Sequence, residues 1–146
     1  MKSLSIGELS KQSGVKITTI RYYEKVGLIA EPERSSGGRR LYLESDIKRI
    51  GFIKHSRFLG FPLDAIREML HLQATPEMDC STANEIAERQ LALVKQRISQ
   101  LQALEGELER IAEACGGGSV AECKVIEALG DHSQCEADRH VKIEGL

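Results

Sequence analysis

Three cysteines are the residues in this sequence best suited to chemistry. Cys115 and Cys123 bracket the seven-residue stretch GGGSVAE, and Cys80 stands thirty-five positions before Cys115. Thiolates bind soft or borderline ions such as Zn, Cd, Hg, Pb or Cu(I) in preference to Mg or Ca. The consecutive glycines let a loop wrap closely around an ion. Two other uses fit the same residues. Cys115 and Cys123 could close a disulfide, and small cysteines at helix ends often do no more than pack.

Whether Cys80 can join the other two depends on the element between them. From Ser81 to Ala114 there is no proline and a single glycine, Gly106. Leu91, Val94, Ile98, Leu101, Leu104, Leu108 and Ile111 recur in steps of three or four, close to the 3.5-residue period of a coiled-coil seam. Too little chain is left over to bury that stripe, so a two-chain coiled coil is expected. Thirty-five helical residues span roughly 50 Å, so Cys80 cannot share an ion with Cys115 of its own chain. In an antiparallel homodimer each Cys80 would instead lie beside the second copy's Cys115. Cys80, Cys115 and Cys123 are therefore the candidate metal ligands, and ion binding would release protons and join the subunits.

The N-terminal half has a different character. Residues 1–75 carry thirteen Lys/Arg against eight Asp/Glu, and residues 76–146 carry seven against fourteen. A basic half suits a polyanion such as DNA. Ser5 and Glu8 have the spacing of a capping box at the start of a short helix, which Gly14 breaks. KITTIRYYEKVGLI then predicts a second helix, completing a helix-turn-helix. Its Thr18, Thr19, Arg21, Tyr22 and Tyr23 offer hydroxyls and a guanidinium for phosphates and base edges, with one tyrosine expected to pack inside. Ser35–Gly38 predicts a tight turn between two short extended pieces. Arg34, Arg39 and Arg40 flank that turn with Gly38, a wing suited to gripping a DNA backbone.

Helical spacing returns from Asp46 to Leu59, with Ile47, Ile50, Ile53 and Phe58 apolar and Lys48, Arg49, Lys54 and Arg57 making a basic side. Pro62 opens a further helix at its first position, with Ile66, Leu70 and Leu72 inward. After Cys123 the stretch KVIEALG predicts a short helix that folds back on Val125, Ile126 and Leu129. The expected organisation is DNA-binding and connecting helices over 1–75, linker and dimerisation helix over 76–114, binding loop and short helix over 115–130, and a flexible tail over 131–146. His132, Cys135 and His140 of that tail could form an accessory site. No apolar run or signal-peptide pattern is present, so a soluble, cytoplasmic protein without membrane association is expected. No nucleophile and base pair and no phosphate loop is found, so enzymatic activity is not expected. A metal-buffering or carrier protein is the reading from another functional class.

Together, IGELSKQSGV, TIRYYEKVGLI, RSSGGRRLY, FIKHSRFLGF and the Cys80, Cys115, Cys123 arrangement resemble the MerR family of bacterial transcription regulators, from about Ser5 to Leu129. The resemblance implies a mainly α fold: a winged helix-turn-helix domain, a long antiparallel coiled-coil dimerisation helix and a C-terminal metal-binding loop. It implies a homodimer on double-stranded promoter DNA that represses without effector. A metal ion then twists the dimer and distorts the DNA so that RNA polymerase can use the promoter. By position, Thr18, Thr19, Arg21, Tyr22 and Tyr23 match the family's DNA-contacting helix, and Arg34, Gly38 and Arg40 its wing. A cysteine at the Cys80 position resembles sensors of divalent Zn, Cd, Pb or Hg, with no organic cofactor. The seven-residue spacing from Cys115 to Cys123 resembles instead the sensors of Cu(I). A thiol redox regulator on the same fold is the other alternative.

Overall fold

A computed structural model describes residues 3–114 and 116–130. The chain divides into two compact units, Met1–Ile86 and Ala87–Leu146. The first contains α1 (Ile6–Ser13), α2 (Ile17–Lys25), β1 (Glu33–Arg34), β2 (Arg40–Leu41), α3 (Glu44–Phe58) and α4 (Leu63–Gln73). Helix α5 (Ser81–Glu113) begins in the first unit and runs into the second, where a 3₁₀ turn (Val120–Glu122) and α6 (Lys124–Gly130) follow.

The start of α1 is fixed by the expected capping box. The Ser5 hydroxyl accepts from the Glu8 N–H, and the Glu8 carboxylate accepts from the Ser5 N–H, both at 3.2 Å. This satisfies two backbone donors that the first turn leaves unpaired. Gly14 ends the helix at φ +72° and donates to the Ser10 carbonyl. A side chain there would have to occupy left-handed backbone, which costs roughly 1–2 kcal/mol. Its Cβ would also stand 2.9 Å from the Lys54 ammonium, the mobile end of a long side chain. Gly14→Ala is therefore expected to lose about 1 kcal/mol of stability. A thermal melt at matched protein concentration should fall by about 4 °C; an unchanged melt would remove the strain argument.

One core holds the first unit together. Leu9 of α1, Ile20 of α2, Leu28 and Ile29 after it, Ile50 and Ile53 of α3 and Ile66 of α4 are all buried in it. Each fully buried aliphatic side chain contributes about 1.5–3 kcal/mol relative to an exposed one. Phe58, the last of the apolar residues of α3, is 86% exposed. At about 100° per residue, the position continuing Ile50 and Ile53 is Ser56, which is buried, whereas Phe58 falls on the far side. Pro62 is the N-cap of α4, and Leu63 its first residue.

The wing is a minimal antiparallel ladder, Glu33 opposite Leu41 and Arg34 opposite Arg40. Its loop closes with Gly38 N–H donating to the Ser35 carbonyl (2.9 Å) and Ser35 N–H donating to the Arg39 carbonyl (2.8 Å). Gly38 adopts φ +83°, the left-handed residue that ends this kind of hairpin loop. A bridge between Leu4 and Tyr42 ties the base of the wing to the start of the chain.

In the second unit α5 presents its apolar stripe outward. Leu91, Val94, Ile98, Leu101 and Leu108 are 37–55% exposed. Ile111 is buried, and Glu107 forms an ion pair with Arg110. On α6 the buried residue is Ala128, while Ile126 and Leu129, expected inward, are exposed at 55% and 71%. A seven-residue helix has room for only a narrow inner face, and the small residue occupies it. No helix among the described residues is long and apolar enough to cross a membrane.

Candidate nucleic-acid interface and thiol sites

Helix α2 separates its residues into two faces. Ile20 and Tyr23 are buried, and Tyr23 is the one of the two adjacent tyrosines that packs into the core. Thr18, Arg21, Tyr22 and Lys25 are exposed, and their i, i+3, i+4, i+7 spacing puts them on one face. Thr19 is partly buried beside them. Hydroxyls and cations on one exposed helix face are the equipment for phosphates and base edges.

The far end of α2 is held by two guanidiniums. Arg49 Nε of α3 donates to the Leu28 carbonyl, and Arg67 Nη2 of α4 donates to the Val26 carbonyl, both at 2.7 Å. A positive group at a helix C-terminus satisfies otherwise unpaired carbonyls and complements the helix dipole. Arg57 likewise donates to the Phe61 carbonyl at 2.8 Å. The basic side expected on α3 thus divides in two. Arg49 and Arg57 brace the fold, while Lys48 and Lys54 remain exposed.

On the wing, Arg34 Nη1 donates to the Gly38 carbonyl across the loop at 2.9 Å. Arg39 is exposed at the tip, and Arg40 is partly exposed. An open depression of about 340 Å³ lies between helix and wing, lined by Arg21, Glu24, Lys25, Glu31 and Arg40. Arg21 of the helix and Arg40 of the wing, chosen separately from the sequence, therefore line one feature. Glu24 lines it too, a role its sequence position did not announce, and buried Tyr42 hydrogen-bonds Glu24 from behind. The available signal was a lone carboxylate in an otherwise basic and neutral helix.

Cys80 is exposed and occupies the residue immediately before α5. Its carbonyl accepts from Asn84 N–H at 3.0 Å, and Asp79 Oδ1 accepts from Ser81 N–H at 3.1 Å. Cys80 thus stands at the N-terminus of a 33-residue helix. Cys123 is half-buried and directly precedes α6, its carbonyl accepting from Glu127 N–H at 3.1 Å. Before it, Gly117 and Gly118 take φ of +92° and +105°, backbone that a residue with a side chain rarely adopts. Cys115 lies outside the described residues, as do His132, Cys135 and His140 of the tail. Among the described residues no three His, Cys, Asp or Glu side chains converge on one point. The donor chemistry at Cys80 and Cys123 nevertheless fits a soft ion: thiols, one at a helix start and one behind a glycine-shaped loop.

The chain matches the family described as "MerR HTH family regulatory protein" over residues 4–73 and that described as "MerR, DNA binding" over residues 47–111. It is 43% identical over 127 residues to the HTH-type transcriptional regulator ZntR of Escherichia coli, covering 85% of this chain and 90% of that protein. Among solved structures it is similar to the transcription regulator PbrR691 of Ralstonia metallidurans in complex with lead(II). That match has a TM-score of 0.77 and 36% identity, over 86% of this chain and 98% of that one. It is similar also to the dual-function regulator MerR of Bacillus megaterium in complex with mercury(II), with a TM-score of 0.66 and 31% identity, over 88% of this chain and 100% of that one.

Proposed function

Because the chain belongs to the MerR family of transcription regulators, we propose that it is a cytoplasmic homodimer that controls a promoter in response to a divalent soft metal ion, Zn, Cd, Pb or Hg. It is a regulator and not an enzyme. The observation that carries the metal reading is the arrangement along α5. A helix of 33 residues has an exposed thiol, Cys80, at its first end, an exposed apolar stripe along its length, and the thiol loop after its last residue.

Two such helices packed antiparallel would cover both stripes. Each Cys80 would then lie beside the loop of the other copy. Cys115 and Cys123 of one copy, with Cys80 of the second, would supply three thiolates. When bound, a soft divalent ion supplies a cross-link between those thiolates and therefore between the subunits. Thr18, Thr19, Arg21 and Tyr22 of α2, and Arg34, Gly38, Arg39 and Arg40 of the wing, would hold promoter DNA in each half of the dimer. The described structure gives Tyr23 a packing role behind that face.

Without effector the dimer occupies its promoter and represses. Ligation by the three thiolates favours a second dimer geometry, in which the two α2 helices bend and underwind the DNA between them. RNA polymerase then meets its two contact elements in productive alignment. Effector and DNA distortion are thus coupled through one two-state dimer.

The test is run-off transcription from the protein's own promoter, titrated with Zn, Cd, Pb, Hg and Cu(I). Activation by at least one divalent ion is expected. Protein that binds the promoter while transcription ignores every soft ion would refute the metal reading and leave a thiol redox regulator to be tested by oxidant.

A further inference from the structure

One carboxylate joins the α2 helix to the wing. Glu24 stands in the last turn of α2, with its side chain only 11% exposed. Its Oε1 accepts a hydrogen bond from the Tyr42 phenol, and its Oε2 lies 3.5 Å from Arg40 Nε. Tyr42 is itself fixed. Its side chain is fully buried, and its N–H and C=O are both paired with Leu4 at 2.8 Å. Burial first, and the hydrogen bond to Glu24 second, hold its phenol well above the usual tyrosine range, so it stays a donor under all working conditions. Glu24 thus has one oxygen anchored by an immobile donor and the other presented to Arg40.

By charge alone, Glu24 is out of place. It lines a depression with Arg21, Lys25, Arg40 and one further carboxylate, Glu31, on a surface read as facing a polyanion. A carboxylate there repels phosphate. The Tyr42 hydrogen bond needs only an acceptor oxygen, and an ion pair whose Arg40 side is 31% exposed adds little stability beyond it, so stability is a poor reason for the charge. Geometry offers a better one. A guanidinium has two hydrogen-bonding edges, and a partner at Nε leaves the terminal amino groups for another acceptor. A long side chain held in one rotamer before binding loses less entropy when it binds.

We propose that Glu24, anchored by Tyr42, is a positioning residue that orients Arg40 so that its terminal edge, together with Arg21 and Lys25, receives a DNA phosphate between α2 and the wing. This rests on the DNA interface proposed above.

The test compares wild type, Glu24→Gln, Arg40→Ala and the double variant as full-length proteins. Binding to an operator duplex is measured by fluorescence anisotropy across a salt series. Glutamine keeps an oxygen for the Tyr42 hydroxyl and drops only the charge that draws Arg40. Glu24→Gln is expected to weaken binding about three- to tenfold, although it removes a negative charge. It should lower the salt slope by about one, as Arg40→Ala does. The double variant should bind no more weakly than Arg40→Ala alone. Tighter binding by Glu24→Gln, or losses that add in the double variant, would overturn the proposal. Should Glu24→Gln melt well below wild type, Tyr42→Phe takes its place, since it keeps the ring in the core and the charge on Glu24 while removing the anchor. The same loss of affinity and slope is expected of it, and an unchanged slope would again overturn the proposal. Wild type that bound no duplex in a salt-dependent way would overturn the DNA interface as well; wild type that bound normally beside an unaffected Glu24→Gln would overturn the positioning role alone.

Discussion

Replacing Ile98 and Leu101 together by glutamate is expected to turn the proposed dimer into a monomer and to lower operator affinity by about 10²- to 10⁴-fold. Ile98 and Leu101 are 49% and 41% exposed in the single chain, in the middle of the stripe that runs from Leu91 to Leu108. A row of large apolar side chains along one face of a solvated helix marks an interaction surface. Packed against a second copy, four introduced carboxylates would be brought together and removed from water, which no partner charge offsets. Glutamate is a good helix former, so the variant leaves α5 itself in place. Ile98 and Leu101 also lie outside the core of the first unit, so the DNA-contacting domain should keep its melt. The loss of affinity comes from connectivity. A dimer binding two half-sites makes the second contact at high effective concentration, and a monomer forfeits it. Light scattering coupled to size exclusion reads the first effect, and anisotropy on a two-half-site duplex reads the second. A variant that still ran at dimer mass would show that the stripe is not the subunit seam.

Cys80→Ser is expected to abolish divalent-metal activation of transcription while leaving promoter binding and repression unchanged. Three thiolates suit a soft divalent ion, and exchanging one for a hydroxyl replaces a soft ligand with a hard one. The activating concentration should rise by about 100-fold or more, given that even the groups supporting a metal ligand are worth 10- to 100-fold. The substitution is also benign for the fold. Cys80 is exposed, is not a member of the hydrophobic core, and stands immediately before α5, where its carbonyl already accepts from the Asn84 N–H. Serine is among the preferred residues at such a position. A lost response therefore cannot be blamed on a lost helix. Activation by Cu(I) that survived Cys80→Ser would favour the loop spacing over Cys80 as the guide to the metal, and the divalent assignment would fall. Loss of promoter binding along with activation would instead make Cys80 a structural residue.

The helical plan was legible because it depends on local rules. Ser5 and Glu8 announce a capping box by spacing alone, and both of its hydrogen bonds are present. The stripe from Leu91 to Ile111 keeps a short period, and the helix that carries it spans Ser81–Glu113. Gly38 in a Ser–Ser–Gly–Gly turn carries the left-handed backbone that closes the wing. What residue type alone leaves open is equally local in cause. Phe58 is apolar like Ile50 and Ile53, yet it lies five positions past Ile53, about 140° around the helix, and is exposed. Arg49 and Arg57 were grouped with Lys48 and Lys54 because charge is visible in a sequence and its partner is not.

From its residue order alone, the chain determined which segments become helices, where they are capped, which face of α2 is exposed, and where its thiols stand. These follow from backbone geometry and side-chain periodicity, which act over a few neighbouring residues. Tertiary structure alone decided that Arg49 and Arg67 close the end of α2, and that Tyr42, Glu24 and Arg40 form one chain of contacts. Those partners are 21, 41 and 18 positions apart for Arg49–Leu28, Arg67–Val26 and Tyr42–Glu24. No period or motif encodes such pairs. Packing around a shared core brings them within hydrogen-bond reach, and burial then makes leaving any of them unpaired costly.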